Sequence, residues 1–205
     1  MKIGIRTFGV TILAIAIIIT IAVIIKNNSK KEVLSLINQP LEGEIIYGNP
    51  DAPESIILYF NYNCTFCRKF FKEGYPALKK NYIDTNKLNL VVRLICPNSD
   101  KSALKAYQTA LCINRFGDYT KLHKLLMHNN KIMYTEHFNQ LIDDYISLNV
   151  DIAECIIENN DFRAIRINNQ QLHELKTNGT PTFVFNNKVQ SGFSDYNSLE
   201  KLLIE

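Results

Sequence analysis

The sequence has little that would mark it for a polyanionic partner. Its 23 Lys and Arg residues stand against 20 Asp and Glu, a formal net charge of +3, too small to argue for a nucleic-acid binder. Cysteine is sparse: five in 205 residues fall short of a disulfide-dense mini-scaffold. Methionine is scarcer, at three. None lies in Tyr59–Phe71, which argues against a methionine-assisted carrier of a soft metal there. No internal repeat and no low-complexity segment is found. What is present is ordinary for a globular chain: an apolar share of 46% and a charged share of 21%. These exclude a fully disordered chain and a coiled-coil rod, and leave enough apolar surface for a sizeable core. The length accommodates one domain, or one domain with an attachment.

Charge is absent from Phe8 to Ile25, which reads FGVTILAIAIIITIAVII with Thr11 and Thr20 as polar interruptions. At 1.5 Å per residue this run spans roughly 27 Å, about the hydrocarbon thickness of a bilayer. Lys2 and Arg6 precede it, as in a signal peptide or signal-anchor. The small residues of a cleavage site are missing from the Val-Ile-Ile-Lys-Asn-Asn that follows; Thr20-Ile21-Ala22 is a weak candidate. Residues 1–25 therefore read as a single uncleaved N-terminal transmembrane helix, with a cleaved signal and a buried helix as alternatives. A half-exposed helix is a poor fit, because the run has no polar face. Lys26, Lys30 and Lys31 follow it, so the positive-inside rule hardly separates the flanks. Orientation rests instead on the cysteine chemistry below, which suits a compartment outside the cytosol. Without Lys2 and Arg6 the remaining chain is nearly neutral. Residues 26–43, lysine-rich with a short apolar patch at Val33–Ile37, read as a polar tether.

The remainder reads as an α/β domain split by a helical block. Glu44–Tyr47 and Ser55–Phe60 are predicted strands, the second apolar enough to be central in a sheet. Gly48-Asn49-Pro50-Asp51-Ala52-Pro53 between them is turn chemistry. A helix is expected from about Cys64 to Lys80, bent where Gly74 and Pro76 interrupt it. Leu88–Ile95 is another buried strand. Helical periodicity then runs from about Ser99 to Leu175, broken near Gly117, Asn129-Asn130 and Asn149. Thr182–Phe185 and Lys188–Gln190 flank Asn186-Asn187, a two-residue hairpin signal. Tyr196–Ile204 closes the chain as an amphipathic helix.

The residues that carry chemistry are Cys64-Thr65-Phe66-Cys67. They follow an apolar strand and open a helix, where unsatisfied N–H groups and the macrodipole favour an anion. A thiolate at Cys64 is thereby stabilised and its pKa falls from about 8.5 into a reactive range. Arg68, Lys69 and Lys72 are expected to push the same way. Cys67, one turn on, can resolve a mixed disulfide, so the pair has the makings of thiol–disulfide exchange. Zinc is the competitor. A structural site needs four ligands, and here Cys96, Cys112 and Cys155 stand singly with no second close pair. His123 and His128 are not spaced i,i+4, and His137 and His173 stand alone. All four read as helix-surface or partly buried residues, and no metal is assigned.

The segment from Gly48 to Pro53, the strand Ile56–Phe60 and Asn61-Tyr62-Asn63-Cys64-Thr65-Phe66-Cys67 together resemble the opening of a DsbA-like thioredoxin-fold protein. Gly179-Thr180-Pro181-Thr182-Phe183-Val184-Phe185-Asn186-Asn187 is similar to that family's cis-proline strand and hairpin. The resemblance covers about residues 44–205, and its two motifs in this order are highly specific. It implies a thioredoxin-like fold with a helical insertion at about 98–165, and an enzyme without cofactor. It further implies Cys64 as nucleophile, Cys67 as resolving thiol, and Thr180 and a cis Pro181 beside the sulfurs to receive an extended substrate chain. Many relatives join a cysteine in each of two inserted helices, which here implies a structural Cys112–Cys155 disulfide. A Cys96–Cys155 pairing, or three unpaired core thiols, are the alternatives. With Cys112–Cys155 formed, Cys96 is left as a buried free thiol.

Three departures bear on function. The buried glutamate common six residues before the nucleophile is Leu58, the aspartate common three residues before it is Asn61, and Thr65-Phe66 lacks the histidine of strongly oxidising relatives. A milder oxidant is expected, with isomerase and reductase roles also open. Thr180 resembles the isomerase branch as well as some oxidases, but residues 26–43 are too few for that branch's oligomerisation region. The expectation is a monomeric oxidase in a bacterial cell envelope, anchored in the inner membrane through residues 8–25 and facing the periplasm, or released there if the signal is cleaved. Its partners would be cysteine-bearing protein substrates and a membrane redox partner that resets the pair. A non-catalytic module that holds a soft metal on Cys64 and Cys67 is the reading from a different class.

Overall fold

A computed structural model of the chain describes residues 3–39, 41, 44–159, 162–177 and 179–204. Two compact units emerge, Met1–Gln39 and Pro40–Glu205.

The first unit is one helix, α1 (Ile3–Ile37). It contains the apolar run 8–25 and continues through residues 26–37 of the stretch read as a tether. The side chains of residues 8–14 lie outside the described set. Among the described residues no helix is long and apolar enough to cross a membrane. From residue 15 to 25 the apolar side chains are exposed, Ile15, Ile18 and Ile25 by 56%, 65% and 63%. At 100° per residue these three, with the exposed Ile17, Ile19, Ile21, Val23 and Ile24, spread over most of the helix circumference.

The second unit is built on a five-stranded sheet of β1 (Ile45–Tyr47), β2 (Glu54–Phe60), β3 (Leu88–Leu94), β4 (Thr182–Phe185) and β5 (Lys188–Ser191). Its order is β1-β3-β2-β4-β5, with β2 and β3 parallel and the other pairs antiparallel. Central parallel strands are covered on both faces, which is why ESIILYF and LNLVVRL read as near-continuous apolar runs. The polar exceptions in β3 are paired. Asn89 donates to the carbonyls of Asn49 and Pro50 at 3.0 and 3.2 Å. Arg93, 2% exposed, donates from Nε to Glu44 at 2.8 Å and from its terminal nitrogen to Gln171 at 2.9 Å. The β4–β5 turn is Asn186-Asn187, both at positive φ, as a two-residue hairpin of this twist demands.

Six helical elements lie between β3 and β4: α4 (Lys101–Phe116), α5 (Tyr119–His128), a 3₁₀ turn (Asn130–Tyr134), α6 (Glu136–Leu148), α7 (Val150–Glu158) and α8 (Arg163–Glu174). Their starts follow from capping chemistry. Asp100, Asp118, Thr135 and Asn149 each accept a backbone N–H from the first turn of α4, α5, α6 and α7. The three anticipated breaks are present. Two more lie at Thr135, extended before α6, and before α8, where Phe162 takes a left-handed conformation with φ 55°. Asn168 on α8 donates to the Leu94 carbonyl of β3 at 3.1 Å, so this helix packs on the sheet. Cys112 of α4 and Cys155 of α7 are joined by a disulfide, S–S 2.05 Å and Cα–Cα 5.7 Å.

Between β2 and β3 the chain is helical over residues 65–83, but unevenly so. Short α-helical turns α2 (Thr65–Lys69) and α3 (Tyr75–Leu78) alternate with π-helical turns Phe70–Gly74 and Lys79–Ile83. The first π turn falls where Pro76, lacking an N–H, cannot bond to the carbonyl four residues before it. Gly74 has no side chain, and a Cβ there would meet the Phe193 ring at 2.6 Å. After β5 the helix α9 (Tyr196–Ile204) closes the fold.

Candidate active site

Cys64 occupies the N-cap of α2 with extended backbone, φ −82° and ψ 119°. It arrives there because β2 ends at Phe60 and the three residues Asn61–Asn63 turn the chain. Those residues are held by their own side chains. The Asn61 carbonyl oxygen of the side chain accepts from the Asn63 N–H at 2.7 Å and from the Tyr107 hydroxyl at 2.8 Å. The same Tyr107 oxygen accepts the Tyr62 N–H at 3.0 Å. Asn63 is gripped from the helical block: it donates to Tyr134 Oη at 2.6 Å and accepts from Asn130 at 2.6 Å. Tyr134 in turn donates to Asp100, the cap of α4, at 2.7 Å.

The two thiols differ sharply. Cys64 is half-buried and Cys67 fully buried. As a thiol, Cys64 Sγ donates to the Thr180 carbonyl at 3.0 Å. As a thiolate it is favoured first by a hydrogen bond from the Cys67 thiol, then by the Thr180 side chain and the N–H groups of Cys67 and Phe66. These outweigh its partial burial and bring its pKa down to about 5. Burial pushes the Cys67 thiol up, and proximity to Cys64 adds to this. The donors here are sulfhydryl, hydroxyl and amide groups, not the basic residues expected to help. Arg68 donates instead to the Tyr62 carbonyl at 2.6 Å, and Lys69 to the Ser194 carbonyl at 2.9 Å.

Of the residues expected at the site, Cys64 lies against Cys67 and the Thr180 carbonyl, and Pro181 follows Thr180. The Thr180–Pro181 peptide bond is cis, and the Pro181 carbonyl accepts the Gly192 N–H at 2.7 Å. Phe66, between the cysteines, is 57% exposed. Leu58, where a carboxylate was the family expectation, is fully buried between Val92 and Phe183. Cys112 and Cys155 bridge two helices of the block, apart from this site. Cys96 is a buried free thiol whose Sγ lies 3.4 Å from the Pro97 carbonyl; burial pushes its pKa up to about 12.

Two clusters were not anticipated. One is the Asn63–Tyr134–Asp100–Asn130 clamp just described. The other is phenolic: the Tyr62 hydroxyl meets that of Tyr119 and lies 2.8 Å from His123 Nδ1. His123 is packed by the rings of Tyr47, Phe71 and Tyr119, and burial lowers its pKa to about 4. The amide-rich Asn-Tyr-Asn before the cysteines was the available signal. Its partners, 45 to 71 residues away, are brought in by the tertiary fold. Among the described residues, no group of three His, Cys, Asp or Glu side chains forms a potential metal site.

A thioredoxin sheet with a helical insertion, a CxxC pair opening a helix and a cis-proline beside it define the class of DsbA-like thioredoxin-fold proteins. The family model described as Thioredoxin matches residues 41–205, and the chain belongs to that family. A Rickettsia conorii relative whose name describes a protein-disulfide oxidoreductase is 30% identical over 158 residues, covering 74% of this chain and 56% of the relative. The chain thus spans little more than half that relative's length. The disulfide bond formation protein D of Bacillus subtilis is 22% identical over 170 residues, 80% of this chain and 77% of that one. The crystal structure of Wolbachia pipientis α-DsbA1 superposes with a TM-score of 0.63 at 21% identity, covering 82% of this chain and 92% of that one.

Proposed function

We propose that this chain is an extracytoplasmic thiol–disulfide oxidoreductase that passes the Cys64–Cys67 disulfide to cysteines of substrate proteins, acting as an oxidase. The observation that carries the reading is the asymmetry of the pair: a half-exposed Cys64 stabilised as thiolate beside a buried Cys67 that holds its proton. In the oxidised protein a substrate thiolate attacks Cys64 Sγ. The Cys64–Cys67 bond breaks, and Cys67 leaves and takes up a proton. A second substrate thiolate then attacks the substrate sulfur of the mixed disulfide and expels Cys64 as a thiolate, an able leaving group at its low pKa. The substrate dithiol loses two electrons and two protons. The pair gains both electrons and, at neutral pH, keeps one proton on Cys67.

The stabilised thiolate supports the oxidising direction, since whatever lowers the free energy of the reduced form makes the disulfide a stronger oxidant. The absence of a histidine from Thr65-Phe66 supports a milder one. Thr180 and Pro181 receive the substrate chain in an extended form beside Cys64. In this reading residues 1–25 anchor the chain, 26–43 connect it, and 44–205 form the catalytic domain with its insertion at about 98–165. The exposed isoleucines of α1 support burial of that helix in a bilayer. The Cys112–Cys155 bridge supports an oxidising compartment such as the periplasm. A membrane redox partner then restores the Cys64–Cys67 disulfide by the reverse exchange.

The test is the equilibrium potential of the pair against glutathione. A value between about −120 and −180 mV supports oxidation or shuffling, and one near −270 mV indicates a reductase instead.

A further inference from the structure

Beside the reactive pair, on the side of the helical insertion, lies a groove of about 1020 Å³ that the exchange chemistry does not use. It begins at Thr65, the residue directly after Cys64, and runs between residues 65–79 and α5. Its floor is apolar and aromatic: Tyr47, Phe71, Tyr75 and Met127 line it.

Its rim is basic. Of the cations that line it, Arg68 is committed to the Tyr62 carbonyl, Lys69 to Ser194 and Glu73, and Lys79 to Asp84. Lys72, from residues 65–79, and Lys124, from α5, both line the groove, are exposed and have no acidic partner among the described residues. Among the described residues that line the groove the one carboxylate is Glu73, and Lys69 answers it. In a chain with a formal net charge of +3, this is a local excess of positive charge over an apolar floor. Such a surface attracts an anion and desolvates an apolar side chain at once.

We propose that this groove selects substrate and partner proteins by an acidic segment that carries an apolar or aromatic anchor next to the reacting cysteine. The anchor seats on Phe71, Tyr75 and Met127, and the carboxylates meet Lys72 and Lys124. A polypeptide lying there leaves the groove at Thr65 and passes Cys64. The inference rests on the exchange reading above and adds to it the charge of the sequences that are exchanged.

The experiment uses the full chain in detergent with three dithiol peptides that share a leucine anchor and differ only in flanking Asp/Glu, Ser or Lys residues. The second-order rate constant for reduction of the Cys64–Cys67 disulfide is measured at about 20 mM and about 500 mM salt. The acidic peptide should react about tenfold faster than the basic one at low salt, and the gap should close to about twofold at high salt, where the Debye length is only a few ångströms. In the Lys72→Glu/Lys124→Glu variant the acidic-to-basic ratio should fall to one or below. Equal constants for the three peptides at low salt would overturn the proposal, as would an unchanged ratio in the variant. Protection of Lys72 and Lys124 from acetylation by phosphatidylglycerol vesicles, but not by the acidic peptide, would overturn it in favour of a membrane contact. Failure of the exchange reading itself looks different: no peptide, and no glutathione, would then react with the pair.

Discussion

At the scale of single residues the site runs on a contrast between two thiols three positions apart. Helix geometry alone puts Cys64 at the unsatisfied end and Cys67 one turn inward, so this much follows from CxxC at a strand–helix junction. The size of the contrast depends on partners. Cys64 is held near pKa 5 chiefly by the Cys67 thiol. Iodoacetamide alkylation of the reduced protein should therefore follow a midpoint near pH 5 at Cys64, ahead of Cys67 and Cys96. Cys67→Ala removes the principal donor and should raise that midpoint, whereas Cys67→Ser retains a donor and should raise it less. A midpoint that stays put in Cys67→Ala would show that the helix N–H groups suffice. Arg68 and Lys69, expected to help, turn instead to the carbonyls of Tyr62 and Ser194. Sequence proximity to a thiolate does not tell which way a long cationic side chain turns.

At the scale of elements the helical block is both stapled and acid-sensitive. The Cys112–Cys155 bridge ties α4 to α7 across a sequence separation of 43. The chain-entropy relation then assigns it about 4 kcal/mol of stability through the unfolded state. A Cys112→Ala/Cys155→Ala variant should lose that order of stability in urea unfolding while the rate of glutathione exchange at Cys64 stays within about twofold. Acid should loosen the α5 contact for another reason. His123 is depressed to about 4 by burial, against 6.5 in an unfolded chain. Between those values the unfolded state binds more protons, so stability is lost as pH falls from about 6.5 to 4, on the order of 3 kcal/mol at most. Urea melts of the oxidised protein, in which Cys64 cannot titrate, should show this slope, and His123→Phe should flatten it. An unchanged slope would place the acid-sensitive group elsewhere. The helix breaks near Gly117, Asn129-Asn130 and Asn149 were legible because glycine and asparagine interrupt helical periodicity, whereas the caps Asp100, Asp118 and Thr135 were shown by the structure. The break before α8 was not legible, since Phe162 in a left-handed conformation announces nothing.

At the scale of the whole molecule the proposed function predicts where the second unit works. If it works outside the cytosol, as proposed, a membrane-impermeant maleimide added to intact cells should label Cys64 of the reduced protein. The full chain should also stay with the membrane fraction after alkaline carbonate washing. Labelling only after the cells are permeabilised would place the domain inside. The Cys112–Cys155 link adds an independent reading, since its formation in cells tracks an oxidising compartment.

The sequence by itself determined the strands, the hairpin at Asn186-Asn187 and the reactive pair, while the place of Pro181 beside that pair came from the family resemblance. The first three are written in local chemistry: apolar runs, turn residues and a two-residue spacing between thiols. Only the tertiary structure decided what surrounds them. It brought Tyr107 to the loop before the cysteines, and Asn130 and Tyr134 to Asn63. It also brought Lys72 and Lys124 to one groove with an aromatic floor. Hydrogen bonds and charge act over a few ångströms, and chain connectivity carries no record of which distant residues the sheet and the helical block bring within that range.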